Sequence, residues 1–419
     1  MKNIQVYFYL FLCCHIFNDF GQNAATKNPQ WNILIYMDGM EELYSAAFKN
    51  LTEAMMGYKG NNAQVFIQMR SDSETLYAYR YHLSTGKLIF DTTVRLGPVL
   101  AKNLATSAHW AFKEHVPATY NGLILWNHGF GILDPTWQKE GTTEKFNWLS
   151  EPDKALKCSL QLKIQQEHKN HRGIFLDNVA QTYMNNQQMI QTLSYIKQHV
   201  LDGKKLDFLG TDTCGMAMLE VAWQIRDFTH YFIGAQNCAL KDGWPYEKII
   251  SNLSSTSLNP LETVQMIIKE YSHYYKQTGA EGYTQAAMDL SKIETVKEKL
   301  DQILQYLFNS YGTEIIKTVA YHARKRCPVF CIHPTYTDLW TFYDELSQEL
   351  NNDQNIKQLL QEEKSLIEQA VVAYTTGKLM KKAHGISIYF PYCHIDNSYY
   401  KTQFANKSIW LQFLQNCLN

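Results

Sequence analysis

Two short stretches carry residue types that could do covalent chemistry. "LDFLGTDTCGMAMLE" (Leu206–Glu220) is an apolar run that breaks into Asp212, Thr213, Cys214 and Gly215. "GLILWNHG" (Gly122–Gly129) is a second apolar run, and it ends in His128 and Gly129. A thiol and an imidazole are the parts of an acyl-transfer site, with the thiolate as nucleophile and the imidazole as acid or base. A helix expected from about Met216 would turn its free N–H groups toward the sulfur and favour the thiolate. Gly215 lets the backbone turn sharply, and Gly129 leaves its own amide open to a developing oxyanion. Residue types and spacing alone weigh this reading evenly against an inert buried cysteine and a structural turn histidine.

Both residues must be positioned by strands. "WNILIYM" (Trp31–Met37), "AQVFIQM" (Ala63–Met69), "GLILWN", "LDFLGT" and "YFIGAQ" are short apolar runs, and amphipathic helical patterns alternate with them. That alternation predicts a mostly parallel sheet covered by helices on both faces, a three-layer α/β/α arrangement. In such sheets sites form where the strands end at their carboxyl edge, which is where His128 and Cys214 fall. The second half reads as more helical. Helices are expected over Leu261–Tyr275, around Leu339–Leu350 and over Ile356–Tyr374, with strands at Tyr283–Leu290 and His384–Pro391. Ser291 to Glu294 has the form of a capping box ahead of another helix. The expected organisation is a segment 1–25 removed on export, a catalytic domain over 26–255 and a mainly helical region over 256–419. A polar, lysine-rich stretch at 134–172 interrupts the catalytic domain.

Composition narrows the class further. The 419 residues carry a formal charge of -1, with 45% hydrophobic and 19% charged residues, a globular balance with no basic excess for nucleic acid. Lys2 precedes an apolar run from Ile4 to Phe17, and a small-residue zone at Ala24 and Ala25 follows. This is the grammar of an export signal and is too short for a membrane span. Phe11 and Leu12 before Cys13 argue against lipoprotein anchoring. Without Cys13 and Cys14 seven cysteines remain, so at least one thiol stays unpaired. His322, Cys327, Cys331 and His333 do not follow a standard zinc spacing, and a disulfide or two plain thiols is the better reading. No metal site is expected.

The ordered set of segments resembles the clostripain-like cysteine peptidases, relatives of caspases, gingipains and legumains. "WNILIYM" resembles the family's opening strand and "LILWNHGFGI" its histidine segment. "RGIFLDN" is similar to the small strand after the variable loop. "LGTDTCGMAMLEVAWQIRD" resembles the nucleophile segment, and "IGAQNCALKDGWPY" the strand and turn behind it. "YTDLWTFYDEL", "GISIYFP" and "WLQFL" match the C-terminal half. The resemblance implies a caspase-like fold with Cys214 as nucleophile, His128 as general acid, and the amides of Gly129 and Cys214 as oxyanion donors. It further implies Asp212 in the S1 pocket, selecting Arg or Lys at P1, and Asp242 as a second, weaker substrate-binding acid. Protein or peptide substrates follow, no cofactor is required for the chemistry, and calcium dependence is implied without an assigned site. Self-cleavage within 134–172 is also implied, most favourably between Lys154 and Arg172. The chain departs from the family pattern at Met40, Ala235, Asn237 and Gly215, which bears on S1 depth and specificity. The rival expectation is an exported, catalytically silent binding module.

Overall fold

The computed structural model describes residues 28–39, 43–70, 77–84, 87–97, 99–134, 174–177, 182–330 and 334–418. The proposed export segment, Met40, the 134–172 loop beyond Asp134, and Cys158, Cys331 and His333 lie outside the described residues.

The first strand, β1 (Trp31–Asp38), is buried over its whole length. Its alternate side chains serve two cores: Leu34 and Tyr36 join one hydrophobic cluster, Ile33, Ile35 and Met37 the other. A strand apolar on both faces has to sit inside a sheet with layers on each side. In chain order there follow β2 (Ala63–Arg70), β3 (Tyr77–Ser84), β4 (Lys87–Arg95), β5 (Tyr120–Trp126), β6 (Ile174–Asp177), β7 (Thr182–Met184) and β8 (Leu206–Asp212). The remainder are β9 (Thr229–Gly234), β10 (Thr284–Asp289), β11 (Tyr336–Asp338), β12 (Val371–Thr376) and β13 (Ser387–Tyr389).

One sheet takes nine of these strands in the order β12-β10-β9-β8-β5-β1-β2-β3-β4. The centre, β9-β8-β5-β1-β2, is parallel. Antiparallel pairs close it on both sides. Helices Tyr44–Gly57, Tyr246–Ser255 and Pro260–Gln277 cover one face. Helices including Leu100–Lys113, Asn186–Tyr195, Leu219–Ile225 and Ile293–Ser310 cover the other. The architecture is the three-layer, mostly parallel sandwich that the alternation of strands and helices predicts.

The C-terminal half contributes β10 and β12 to the main sheet. Several of its local details differ from the sequence expectation. The helix expected over Ile356–Tyr374 ends at Ala370, and Val371–Thr376 becomes an edge strand instead. Its β-branched Val371, Val372, Thr375 and Thr376 suit a pleated edge paired to β10 better than a helix. The capping box at Ser291 does not form, because Ser291 Oγ donates to Asp289 at 2.6 Å and Lys292 is the N-cap. Capping boxes occur at Asn185–Gln188 and Asn259–Glu262. The late strand pairs with β11 in a separate two-stranded sheet, and Ser387 makes one further bridge to Met218.

Candidate active site

Strands β5 and β8 lie side by side and parallel, with Trp126 opposite Asp212. His128 and Cys214 each follow two residues beyond that matched pair, so the histidine and cysteine loops leave the sheet at the same edge. The two loops touch. A Cβ placed on Gly129 would stand 2.4 Å from Thr213 Oγ1 and 2.6 Å from the Cys214 carbonyl oxygen. Only glycine allows that approach. Beneath His128, Asn127 accepts from the His128 amide and donates to the Asp38 carbonyl. Asp38 is itself held by Arg70 through Nε–Oδ1 and Nη2–Oδ2 contacts of 2.6 and 3.0 Å, both side chains buried. Sequence reading missed this ion pair. Its signal was an acid and a base at matched ends of neighbouring parallel strands.

The surroundings of Cys214 differ from expectation in one respect. The helix after it begins at Leu219, five residues beyond the cysteine, and runs only to Ile225, not from about Met216 as expected. Gly215 turns with φ 66°, and its amide donates to Asn237 O at 3.1 Å. The Ala217 amide is spent on Ala235 O at 2.9 Å. What reaches the thiol is the Ala239 amide, which donates to Sγ at 3.1 Å. Cys214 keeps part of its surface exposed, yet the thiol is densely surrounded and burial pushes it up to about 11. The Ala239 N–H opposes this, and Asp212 adds to it. The resting group is therefore a neutral thiol at pH 7. Among the described residues the N–H groups of Gly129 and Cys214 donate to no partner.

Asp212 is buried, and its Oδ2 accepts from the Trp244 amide at 2.9 Å and the Tyr246 hydroxyl at 3.1 Å. Among the described residues no lysine or arginine pairs with it. Burial pushes its carboxyl up to about 7 against these two donors, with the Glu53 charge adding to the rise. Asp242 has a different setting. It is half-exposed, paired with Lys49 Nζ at 2.8 Å and accepting from Tyr274 OH at 3.1 Å. The Lys49 hydrogen bond holds its carboxyl below the usual range.

The C-terminal half supports the cysteine loop from behind. Ser387 N and Oγ both donate to Ala217 O, at 2.8 and 2.9 Å. Buried Glu220 accepts from Tyr389 N at 2.8 Å and Tyr399 OH at 3.3 Å. Gln236 links the loop after β9 to Asp338 at 3.0 Å and to Gly385 N at 2.7 Å. Of the cysteines, Cys214, Cys327 and Cys417 are free thiols, whereas Cys238 and Cys393 are disulfide-bonded. Cys327 is buried and its thiol donates to Ala323 O at 3.2 Å, so it is one of the plain thiols. His322 lies beside Glu349 at 3.2 Å, and no metal-ligating group of three occurs among the described residues.

A mostly parallel α/β/α sandwich with a cysteine and a histidine at one carboxyl edge is the architecture of the caspase-like cysteine peptidases. Within that class the chain belongs to the clostripain family, whose family model matches residues 162–418. Three solved structures are similar across nearly the whole chain. A secreted C11 cysteine protease from Bacteroides thetaiotaomicron, in complex with an irreversible peptide inhibitor, is 17% identical with a TM-score of 0.61. It covers 91% of this chain and 99% of its own. An inactive zymogen C11 protease from Parabacteroides distasonis is also 17% identical with a TM-score of 0.61, covering 94% and 100%. A second secreted C11 protease structure from Bacteroides thetaiotaomicron, iotapain, is 14% identical with a TM-score of 0.61, covering 93% and 99%. A comparison with curated proteins gave no match. The protein is thus a cysteine-type peptidase, and its substrates are proteins or peptides. No helix among the described residues is long and apolar enough to cross a membrane.

Proposed function

We propose that this peptidase is an exported endopeptidase cutting after Arg or Lys, with Cys214 as nucleophile and His128 as general acid. The observation that carries this is the shared edge: Trp126 opposite Asp212 in register, with Gly129 pressed on Thr213 and Cys214. In this reading His128 takes the Cys214 thiol proton as the sulfur attacks the scissile carbonyl carbon, and the amides of Gly129 and Cys214 receive the oxyanion. His128 gives a proton to the leaving amine, and water then hydrolyses the thioester.

Asp212 supplies the specificity. A buried carboxylate that meets two neutral donors and, among the described residues, no cation is an uncompensated charge when ionised, and a guanidinium or ammonium entering beside it relieves the cost. Asp242, already matched by Lys49, is the weaker substrate-binding acid. Export is supported by the signal-like N-terminus and by the description of two similar structures as secreted. Hydrolysis of fluorogenic peptides differing only at P1 tests the reading. Wild type is expected to favour Arg and Lys, and Cys214→Ala and His128→Ala to lose turnover. Equal rates for neutral and basic P1 residues would remove the specificity claim, and turnover surviving in Cys214→Ala would remove the nucleophile.

A further inference from the structure

The fold uses the two oxygens of the Asp212 carboxylate unequally. Oδ2 takes both hydrogen bonds, from the Trp244 amide at 2.9 Å and the Tyr246 hydroxyl at 3.1 Å. A carboxylate oxygen has two lone-pair sites, so Oδ2 is fully engaged. The same oxygen is pressed on the turn that carries these donors. A Cβ on Gly243, at φ 69°, would lie 2.9 Å from Asp212 Oδ2 and 2.8 Å from Asn50 Oδ1. Asn50 Oδ1 accepts from Trp126 Nε1 at 2.9 Å, and Tyr275 OH donates to the Gly243 carbonyl at 2.7 Å, so the turn is held from both sides. Tyr246 is fully buried at the start of the helix Tyr246–Ser255. Oδ1 accepts from no group among the described residues and is not sealed from solvent, consistent with the 5% of Asp212 that stays exposed.

We propose that the pocket offers the P1 cation a single carboxylate oxygen, Asp212 Oδ1, and therefore prefers Lys to Arg, with Tyr246 as the positioning residue that keeps Oδ2 occupied. The inference rests on the reading of Asp212 as the P1 counter-charge. A guanidinium recognises a carboxylate best through two parallel N–H bonds, one to each oxygen. Here its fork meets one open oxygen and one that is already saturated. An ammonium is a compact charge with three rotatable donors, and it gives up little when only one oxygen is offered. The Tyr246 hydroxyl keeps its proton for Asp212, because burial and the neighbouring carboxylate hold it well above the usual tyrosine range. Asp242 provides no substitute fork, since Lys49 already occupies its Oδ1 and Tyr274 its Oδ2.

The test is the ratio of kcat/KM for peptides that differ only in Lys or Arg at P1, measured in wild type, Tyr246→Phe and Asp212→Asn. Both peptides meet the same thiol and imidazole, so the ratio cancels their ionisation. Tyr246→Phe also removes a bond that favours the carboxylate, so the assay is run at pH 9, well above the Asp212 carboxyl at about 7. Wild type is expected to prefer Lys by about three- to tenfold, the cost to Arg of one charge-assisted hydrogen bond. In Tyr246→Phe one site on Oδ2 is freed, and the Lys/Arg ratio is expected to fall at least about threefold. The ring is kept, and a merely structural role would lower both rates together. Equal rates or an Arg preference in wild type, with both rates lost in Asp212→Asn, overturn the single-oxygen pocket and leave Asp212 as the counter-charge. That wild-type ratio decides the point without any variant. A Lys preference unchanged in folded Tyr246→Phe overturns the role of Tyr246. A preference for basic P1 residues that survives Asp212→Asn overturns the reading of Asp212, and the inference falls with it.

Discussion

The amide of Ala239 donates a hydrogen bond to the sulfur of Cys214 at 3.1 Å. That contact crosses from the loop after β9 to the loop after β8, and among the described residues it is the one hydrogen bond donated to the thiol. It is outweighed by burial, so the sulfur holds its proton until substrate arrives.

Alkylation by iodoacetamide in the absence of substrate should therefore be slow at pH 7. Its rate at Cys214, followed by peptide mass spectrometry, should keep climbing through pH 9 and level off only near the thiol's pKa of about 11. An ordinary exposed cysteine levels off near about 8.5. A plateau below pH 8 would show a preformed thiolate and contradict this account.

Asp212→Asn should stabilise the fold while removing its preference for basic residues. The carboxyl sits at about 7 in the fold and near about 4 in the unfolded chain, so the folded state binds the proton more tightly. Ionisation then costs stability as pH rises from the unfolded value through the folded one. The variant escapes that cost, on the order of 2–4 kcal/mol at pH 8 and little at pH 4. Thermal melts of both proteins at the two pH values measure it. An equal gain at both would mean that charge is not the cause.

Gly129→Ala should cost activity beyond its cost in stability. The added methyl meets the Thr213 side chain and the Cys214 backbone, and the Cys214 carbonyl cannot turn aside as the end of a flexible chain would. Displacing the two loops by a few tenths of an ångström is expected to lower kcat at least about tenfold. The check is turnover measured at a temperature where circular dichroism shows the variant folded. Wild-type kcat in the folded variant would refute the packing argument.

Self-cleavage between Lys154 and Arg172 is proposed from the polar, lysine-rich sequence, which lies outside the described residues. Wild type should run as two fragments on a denaturing gel and Cys214→Ala as one intact chain. Identical patterns for the two proteins would rule the proposal out.

The central sheet was legible because β1, β2, β5 and β8 are buried on both faces, and continuous apolar runs record that directly. The ends of those runs located His128 and Cys214 at one edge. The surroundings of the thiol were not legible in the same way. Met216, Ala217 and Met218 have the composition of a helix start, but tertiary bonds to Ala235 and Ser387 hold them extended and delay the helix to Leu219. Those partners lie 18 and 170 residues further along the chain, beyond the reach of local periodicity. Asn50 and Glu53 escaped notice for a related reason. They are ordinary polar residues of one helix, and only the fold sets Asn50 against Gly243 and Asp212.

The central claim is that Cys214 attacks peptide bonds following a basic residue. The most direct measurement uses an irreversible thiol-reactive peptide probe carrying Lys or Arg at P1, applied to processed, reduced protein with calcium supplied. One adduct is expected, mapped to Cys214 by peptide mass spectrometry, absent from Cys214→Ala and much weaker when P1 is neutral. A probe that leaves Cys214 unmodified, or labels it equally well with a neutral P1 residue, would contradict it.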